Sequence, residues 1–342
     1  MIKVCLALCG LALAGGWTTV GAVTVDPYVA VVPVEDRSEA ARQRAFGAAL
    51  SQALTKLTGR PGDMSGYATA RLVRQYRYLE RPAESEGESA TPVLEVRFDP
   101  AGVRNLAASQ GLAMWPLERG DTIVWIALEQ RGQRFLLGLE PEHADWLAAL
   151  EENADRRALP VVTPLMDLED QARVSAAEVW GGFADRISAA SERYGADYTL
   201  IGRIAPDGFQ WSGRWLLQVE EGLLRWESSG DSVDAVIAGG IDGAATRLAE
   251  IFAVPLAAGP EAVRLKVSGI GSPEDYARVQ AYLAGLSLVT RATLDQVAGD
   301  RAVFALETGA DATMLKRVLS RSDLLQPDPA GAAGGLDFRL NP

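Results

Sequence analysis

The sequence has few of the side chains that carry nucleophilic and metal chemistry. Its 342 residues include two cysteines and one histidine. Cys5 and Cys9 both lie in an apolar N-terminal stretch that we expect to be removed, so the mature chain is predicted to have no disulfide, thiolate nucleophile or cysteine-bound metal. A Ser-His-Asp triad, a zinc site or a Cys-His dyad would have to be built around His143 alone. We interpret His143 as a solvent-facing residue at the beginning of a helix.

Runs of basic residues and phosphate-binding loops are also missing. Asp and Glu number 45 against 33 Lys and Arg, which gives a formal net charge of −12. Such a surface repels phosphate backbones and anionic lipids, so we expect no nucleic-acid partner and no binding to anionic membranes. Gly269-Ile270-Gly271 precedes a predicted helix, but Glu274 stands where a dinucleotide-binding loop needs its third glycine. The sequence therefore predicts no cofactor, no metal and no catalytic residue.

The first residues have the pattern of a secretory signal peptide. Lys3 is followed by an apolar stretch, and small residues precede a cleavage site after Ala22. We therefore predict a signal peptide over residues 1–22, a periplasmic mature protein, and no membrane span after cleavage. The alternative is an uncleaved N-terminal membrane anchor, because residues 4–25 contain no charge over a length close to a bilayer span.

The periodicity of the remaining chain predicts three small α/β units, so the expected fold class is α/β (α+β). Breaks in the pattern at Trp115-Pro116 and around Gly259-Pro260 indicate the boundaries. The predicted divisions are an N-terminal α/β domain at 23–116, a central α/β domain at 117–255, a ferredoxin-like domain at 262–325, and a flexible tail at 326–342 that can add a closing strand.

In the first two units the hydrophobic pattern predicts most helices and strands. Ser38 and Gly59 have the residue types that begin and end a helix, and a second helix is predicted over 67–78. In the central unit, the apolar residues 160–165 predict a strand buried on both faces, and the spacing over 176–194 predicts an amphipathic helix. With the hairpin and helix that follow, the central unit is expected to be a mixed sheet with packed helices.

The C-terminal unit has the element order of a ferredoxin-like sandwich. A strand with alternating hydrophobicity precedes Ser272-Pro273-Glu274, which is a strong helix start. A hairpin through Gly299-Asp300 and a second helix follow, which gives β-α-β-β-α. Residues 336–340 can then supply the closing strand.

Three carboxylates, Asp167, Glu169 and Asp170, follow directly on the predicted strand at 160–165. The carboxyl ends of such strands are where open α/β sheets place ligands, so this loop is a candidate site for a hard cation or a basic partner. Two carboxylates could also perform glycoside hydrolysis if they face each other at a suitable separation. The alternative is a solvated loop whose acids favour the start of the next helix.

Tryptophan is concentrated in the central unit. The chain has eight tryptophans, and all except Trp17 lie between Trp115 and Trp226. Phe209, Trp211 and Trp215 occupy alternate positions of a predicted strand, so they are expected on one face of it. That face is either part of the core beneath helices or an exposed aromatic platform that binds a partner protein or stacks on a sugar.

Several segments together resemble a family of uncharacterised secreted proteins of Gram-negative bacteria, classed only as a domain of unknown function. These segments are RQRAFGAALSQALTKLTGR at 42–60, LVRQYRYL at 72–79, LEVRFD at 94–99, GLAMWP at 111–116, LPVVTPLMDLED at 159–170, AAEVWGGF at 176–183 and RYGADYTLIGRI at 193–204. The resemblance covers most of the mature chain. Because the family has no assigned activity, it implies no functional residue.

The central unit is also similar to envelope accessory modules of the curli-secretion and penicillin-binding-protein-activator type. The similarity rests on an apolar strand, a helix ending in Ala196-Asp197, and a strand that contains Gly202-Arg203. Those modules act by binding other proteins, so the similarity implies the same mode of action.

Two functions are compatible with these observations. We expect a non-enzymatic accessory or scaffold protein of the cell envelope that acts by protein–protein interaction with an envelope protein. The alternative, from a different class, is a small-molecule or glycan binding protein or hydrolase. It would use the acidic strand-end loop and the tryptophan face, that is, Asp167, Glu169, Asp170, Trp211 and Trp215.

Overall fold

The structure is a computed structural model that describes residues 26–62, 69–81, 91–138, 140–255, 261–331 and 335–341. Within these ranges helices alternate with strands in mixed and antiparallel sheets, which confirms the α/β class. The predicted signal peptide, with its two cysteines, lies outside the described residues. Across the described ranges, no helix has both the length and the apolar character that a bilayer span requires.

The N-terminal unit is a three-stranded antiparallel sheet in the order β1-β3-β2, packed against helix α1. Its elements are β1 (Val29–Pro33), α1 (Glu39–Thr58), β2 (Val73–Arg81), β3 (Thr91–Phe98), α2 (Pro100–Ser109) and the short β4 (Ala113–Met114). Ser38 caps α1 by accepting a hydrogen bond from the amide of Ala41, and Gly59 ends the helix in the left-handed conformation with φ 68°. Both ends therefore lie where the residue types predicted them.

The prediction of a helix over residues 67–78 is wrong. Thr69–Arg71 form a single 3₁₀ turn, and β2 follows it, while the first two predicted residues lie outside the described ranges. Tyr76 and Tyr78 pair in register with Val96 and Leu94 of β3, and the Tyr76 ring packs edge-on against Phe46 of α1. Aromatic residues fit a half-buried sheet surface well, so pairing with a distant strand overrides the local helical spacing.

The central unit is a six-stranded mixed sheet in the order β10-β9-β8-β5-β6, and β7 pairs with β5 beside this path. The strands β7 and β8 both run parallel to β5, and the other pairs are antiparallel. The elements are β5 (Thr122–Gln130), β6 (Gln133–Leu136), α3 (Ala144–Arg157), β7 (Val161–Val162), α4 (Leu168–Arg173), α5 (Ala176–Gly181), α6 (Ala184–Ser191), β8 (Tyr198–Asp207), β9 (Gln210–Val219), β10 (Gly222–Gly230), α7 (Val233–Phe252) and β11 (Val254–Pro255).

Helices cover both faces of this sheet. On one face, Val124 and Leu200 pack with side chains of α3 and α7. On the other face, Trp125 and Ile201 pack with side chains of α5 and α6. The mixed sheet with packed helices is thus the arrangement predicted for this unit.

Two elements of the central unit differ from the prediction. The buried strand expected over 160–165 is shortened to the two residues of β7. The chain leaves the sheet after Val162, and Leu165 is 56% exposed. The helix expected at 176–194 is broken into α5 and α6 at Gly182, which has a φ of 67°. A Cβ atom on Gly182 would lie 2.7 Å from the Leu216 side chain, so the break lets the chain approach the sheet closely.

The C-terminal unit is a five-stranded sheet in the order β13-β14-β12-β16-β15. Its elements are β12 (Glu261–Ser268), α8 (Pro273–Gly285), β13 (Val289–Ala298), β14 (Arg301–Thr308), α9 (Ala312–Ser320), β15 (Leu325–Pro327) and β16 (Asp337–Leu340). A ferredoxin-like sandwich pairs the strand after its second helix antiparallel with its first strand. Here β16 occupies that position and runs parallel to β12, while β15 lies at the edge. The final strand is thus inserted into the sheet as an addition to the ferredoxin-like order.

The units are joined by shared core and by strand pairing. One cluster of buried side chains combines Leu50 of α1 with Phe304 of β14. The strand β11, which follows α7, pairs antiparallel with β4, so that Val254 lies opposite Met114. The proposed domain boundaries stay a prediction, but the units contact one another through buried apolar residues.

Candidate binding cleft

The central sheet has a cleft at the carboxyl ends of β5 and β7. The helix α3 precedes β7 on one face of the sheet, whereas the helices that follow β7 pack on the other face. The connections therefore diverge at this edge, which is the place where open α/β sheets form ligand crevices. The cavity has a volume of about 820 Å³, within the range that small ligands or a peptide segment need.

One wall of the cleft is a cluster of three nearly parallel rings. The ring centroid of His143 lies 5.0 Å from that of Phe135 of β6 and 5.6 Å from that of Trp146 of α3, and the Phe135 and Trp146 centroids lie 6.3 Å apart. The Nδ1 atom of His143 accepts a hydrogen bond from the amide of Gly138 at 3.2 Å, and a carboxylate oxygen of Glu140 lies 3.1 Å from the same nitrogen. The interpretation of His143 as solvent-facing is wrong, because only 8% of the residue is exposed. Its ring instead orders the aromatic wall.

The opposite wall is the loop between β7 and α4, which Asp170 holds in place. Met166 lines the cleft with a φ of 54°, a left-handed conformation that is unfavourable for a residue other than glycine. Its amide donates to the Asp170 carboxylate at 2.9 Å, and its carbonyl oxygen accepts from Gln171 Nε2 at 2.7 Å. These two bonds fix the backbone of the wall.

Arg193 holds the three predicted acidic residues together. Its guanidinium lies 2.8 Å from Asp167, 3.1 Å from Asp170 and 3.6 Å from Glu169. Asp167 also caps α4 by accepting from the amides of Glu169 and Asp170. Asp170 has a side chain that is 1% exposed and accepts a further hydrogen bond from the Tyr194 hydroxyl. The loop is therefore an ion-pair network that joins α4 to the end of α6.

This network changes the chemistry expected of the acids. The hydrogen bonds from Arg193 hold the pKa of Asp167 well below its usual range, so this carboxyl stays ionised near neutral pH and is unsuited to donate a proton. In the ranges that the structure describes, no group of three or more His, Cys, Asp or Glu side chains is placed to hold a metal ion. The acids position the wall of the cleft.

The predicted tryptophan face lies elsewhere. Trp215 is 1% exposed and packs beneath α7, where its Nε1 donates to Ser228 Oγ at 2.9 Å. Trp211 is half-buried against the same core, and Phe209 is fully exposed at the turn before β9. This face therefore belongs to the core beneath α7, and the tryptophan that lines the cleft is Trp146.

Sequence reasoning did not find Trp146, His143 or Arg193 as parts of this site. His143 and Trp146 are three residues apart across the start of α3, a spacing that places two side chains on one side of a helix. That spacing was a usable signal. Arg193 follows the acids by more than twenty residues, and only the turn of the chain through α5 and α6 brings it back to them.

A family described as "Domain of unknown function (DUF8605)" matches residues 22–116 of the chain. The match supports the resemblance to an uncharacterised family over the N-terminal unit. It begins one residue before the predicted mature terminus, Val23, and ends at Pro116. No curated protein matches the chain. The cleft and the C-terminal unit lie outside the matched residues.

Proposed function

We propose that this protein is a non-enzymatic accessory or scaffold protein of the Gram-negative cell envelope. It is secreted to the periplasm after removal of residues 1–22 and acts by binding a segment of another envelope protein in the cleft. The predicted signal peptide and the similarity to envelope accessory modules support the location. The match to an uncharacterised family over the N-terminal unit is compatible with it.

The observation that carries the proposal is a formed cleft beside which Arg193 engages the three predicted acids, Asp167, Glu169 and Asp170. The cleft has a cavity of about 820 Å³ and walls fixed by the ring cluster and by Asp170. A general acid must hold a proton near neutral pH, and Asp167 is held ionised by Arg193. A cleft of fixed shape beside acids that are paired with Arg193 favours binding over turnover.

The groups around the cleft indicate the chemistry of the bound segment. Phe135 and Trp146 offer partly buried ring surface to an apolar or aromatic side chain. Glu140 and Glu142 are exposed at the rim and favour a neighbouring Lys or Arg. Gln171 can hydrogen-bond to a peptide backbone. The expected partner segment thus has an apolar anchor flanked by basic residues.

Site-specific photo-crosslinking in cells tests this proposal. A benzophenone amino acid replaces Gln130 at the cleft or, as the matched control, Gln75 on the exposed surface of β2. We expect one defined envelope protein to be crosslinked from position 130 alone, and its binding to be weakened by Glu142→Lys. Identical products from both positions, or a product from position 130 that is unaffected by Glu142→Lys, would contradict the proposal.

A second candidate is glycan binding in the same cleft. The ring cluster of Phe135, His143 and Trp146 lies beside the amides of Gln130 and Gln171, and aromatic faces with nearby amides suit a sugar ring. Purified protein titrated with soluble peptidoglycan fragments tests it through intrinsic fluorescence. Saturable binding that Trp146→Ala abolishes, together with no protein crosslink from position 130, would favour the glycan over the protein partner.

A further inference from the structure

The helices α5 and α6 leave part of the central sheet uncovered. The helix α5 ends at Gly182, directly above Leu216 of β9. Beyond it the same face of β9 and β10 carries the exposed side chains of Arg214 and Arg225, while α7 covers the opposite face. An open sheet face therefore adjoins the end of α5.

Three arginines from neighbouring strands project from this face. Arg203 of β8 lies directly opposite Arg214 of β9, and Arg225 of β10 lies opposite Leu216. The strand pairing thus sets the three guanidinium groups in a diagonal row across the sheet. Like charges directly opposite each other on adjacent strands destabilise the pairing, so this arrangement needs a compensating anion.

The protein supplies only part of that compensation. Glu227 pairs with Arg214 at 2.9 Å. Arg203 donates to the backbone carbonyl of Trp180 at 3.0 Å, which satisfies one donor without neutralising the charge. Among the described residues, the Arg225 side chain makes no ion pair or hydrogen bond. Two positive charges on this face therefore lack a carboxylate, although the whole chain carries a net charge of −12.

These residues surround a cavity of about 380 Å³, which we call the arginine groove. It is lined by the side chains of Arg203, Arg214 and Arg225, with Trp180 and Leu216 among its apolar surfaces. The guanidinium of Arg134, which is paired with Glu129 at 2.8 Å, lies 3.9 Å over the Trp180 ring. The groove combines a cationic rim with an apolar interior.

We propose that the arginine groove binds a phosphate monoester that carries a small ring or apolar group. A phosphomonoester holds about two negative charges near neutral pH, which matches the two uncompensated arginines. Guanidinium groups bind phosphate oxygens through paired N–H donors, and Arg203 and Arg225 both have such donors free. The attached ring lies against Trp180 and Leu216.

The site is independent of the cleft. The helix α5 separates the two, because Ser175 and Ala176 at its beginning line the cleft, whereas Val179 and Trp180 near its end line the groove. The phosphate-binding loops that the sequence lacks act through backbone amides. The groove would act through side chains on three strands, a pattern that the sequence does not show as a local motif.

Calorimetric titration of the full mature protein with phenyl phosphate tests the proposal. We expect saturable binding with a dissociation constant below about 1 mM. Benzoate, with one negative charge, and inorganic phosphate, which has no ring, should each bind more weakly. Affinity should also fall at pH 5, because a phosphomonoester loses its second charge near pH 6. No saturable binding of phenyl phosphate, or equal binding of benzoate, would overturn the proposal.

Vesicles that contain phosphatidic acid form a second arm, which distinguishes a lipid phosphomonoester from a free one. Their binding without binding of phenyl phosphate would overturn the proposal for a soluble ligand. Because the net charge of −12 opposes approach to an anionic bilayer, we expect phenyl phosphate alone to bind.

Two variants assign the binding to the groove. Arg225→Gln removes an exposed, unpaired guanidinium and should weaken phenyl phosphate binding about tenfold or more, since charged hydrogen bonds are lost. Arg291→Gln on the edge strand β13 is the matched control. Arg291 is also an exposed strand arginine, but its guanidinium lies 3.8 Å from the Glu307 carboxylate. Equal losses in both variants, or none in Arg225→Gln with unchanged circular dichroism, would overturn the assignment.

Discussion

The guanidinium of Arg119 donates a hydrogen bond to the backbone carbonyl oxygen of Arg157 over 3.2 Å, and both side chains are buried. Arg119 also stacks on the Trp115 ring at 3.7 Å. Its further acceptors are the carbonyl oxygens of Lys56, Pro116 and Ala158. Arg157 in turn donates to the carbonyl oxygen of Gly59 and pairs with Asp242 of α7. Two buried arginines thus join the ends of α1 and α3 to α7.

Replacing Arg119 with Met should lower the free energy of unfolding. Burial lowers the pKa of Arg119 to about 9, so removing the charge recovers some desolvation free energy, about 5 kcal/mol at most. Four carbonyl oxygens, three in buried hydrogen bonds and that of Lys56 in a partly buried one, would lose a donor at about 2 kcal/mol each, and the stacking on Trp115 would be lost as well. We expect a net loss of about 3 kcal/mol in denaturant unfolding.

Arg278→Met, at a half-exposed position on α8, is the control for this prediction. It should change the unfolding free energy by about 0.5 kcal/mol or less. An Arg119→Met variant as stable as the native chain would contradict the prediction. It would mean that the desolvation free energy recovered by removing the buried charge offsets the lost hydrogen bonds and stacking.

The Trp215 ring sets the contact between the central sheet and α7. It lies between Gly202 and Gly240, where an added Cβ would come within 2.3 Å of the ring in each case. Gly240→Ala should destabilise the fold by about 1–3 kcal/mol, because overpacking outweighs the better helix propensity of alanine. Gly285→Ala is the matched control in α8, where no atom lies within 4 Å of the new Cβ, and it should be neutral or slightly stabilising. The melting temperatures of both variants, measured by thermal unfolding, test this prediction.

The elements that the sequence predicts well are those set by neighbouring residues. Ser38 and Ser272 cap their helices by accepting hydrogen bonds from the amides three residues further on, so residue type alone indicates these ends. The apolar run that forms β5 is likewise buried as expected. The class of the fold follows from the alternation of such segments.

The errors come from contacts between residues that are distant in the chain. Tyr76 lies in a strand because β3 pairs with it, and His143 is buried because β6 folds back beside α3. For the site, the position of Asp167 at the start of a helix could be predicted as one of two alternatives, but its partner Arg193 could not. Ion pairs between distant segments leave no periodic pattern in the sequence, which is why the sequence alone made these acids candidate ligands for a cation or a basic partner.

Asp167→Asn should make the stability of the protein less dependent on acid. Asparagine still caps α4, so the change removes mainly the ion pair with Arg193. The folded pKa of Asp167 is lowered, so its contribution is present above the unfolded pKa near 4 and is lost as pH falls further toward the folded value. The unfolding free energies of the variant and the native chain should therefore differ near neutral pH and converge in acid.

Glu169→Gln is the control for the acid series. Glu169 lies 3.6 Å from Arg193 and 3.0 Å from Arg173, and it caps no helix. Its side chain is half-exposed, so its replacement should have little effect at any pH. A constant difference between Asp167→Asn and the native chain across this pH range would contradict the assigned role of the ion pair.

Tyr194 connects Asp170 to the loop after β7, and its hydroxyl should lose its proton only at high pH. Its hydroxyl donates to Asp170 and accepts from the Leu165 amide at 2.9 Å. Burial, together with the bond to Asp170, raises the pKa of Tyr194 to about 12. Burial also raises the pKa of Tyr198 to about 12. Burial raises the pKa of Tyr28 and of Tyr282 as well. Ultraviolet titration should therefore show a group of tyrosines that ionise above pH 10, and Tyr194→Phe and Tyr198→Phe should each remove one of the last to ionise.

The stability of the Tyr194→Phe variant gives an independent check. The folded pKa of Tyr194 lies above the unfolded value near 10, so its contribution is full below pH 10 and is lost as pH rises through the folded pKa. At neutral pH the variant should be less stable by about 1–2 kcal/mol, because Asp170 and the Leu165 amide each lose a partner. The difference should shrink above pH 10, and a difference that grows there would contradict the hydrogen bonding assigned to Tyr194.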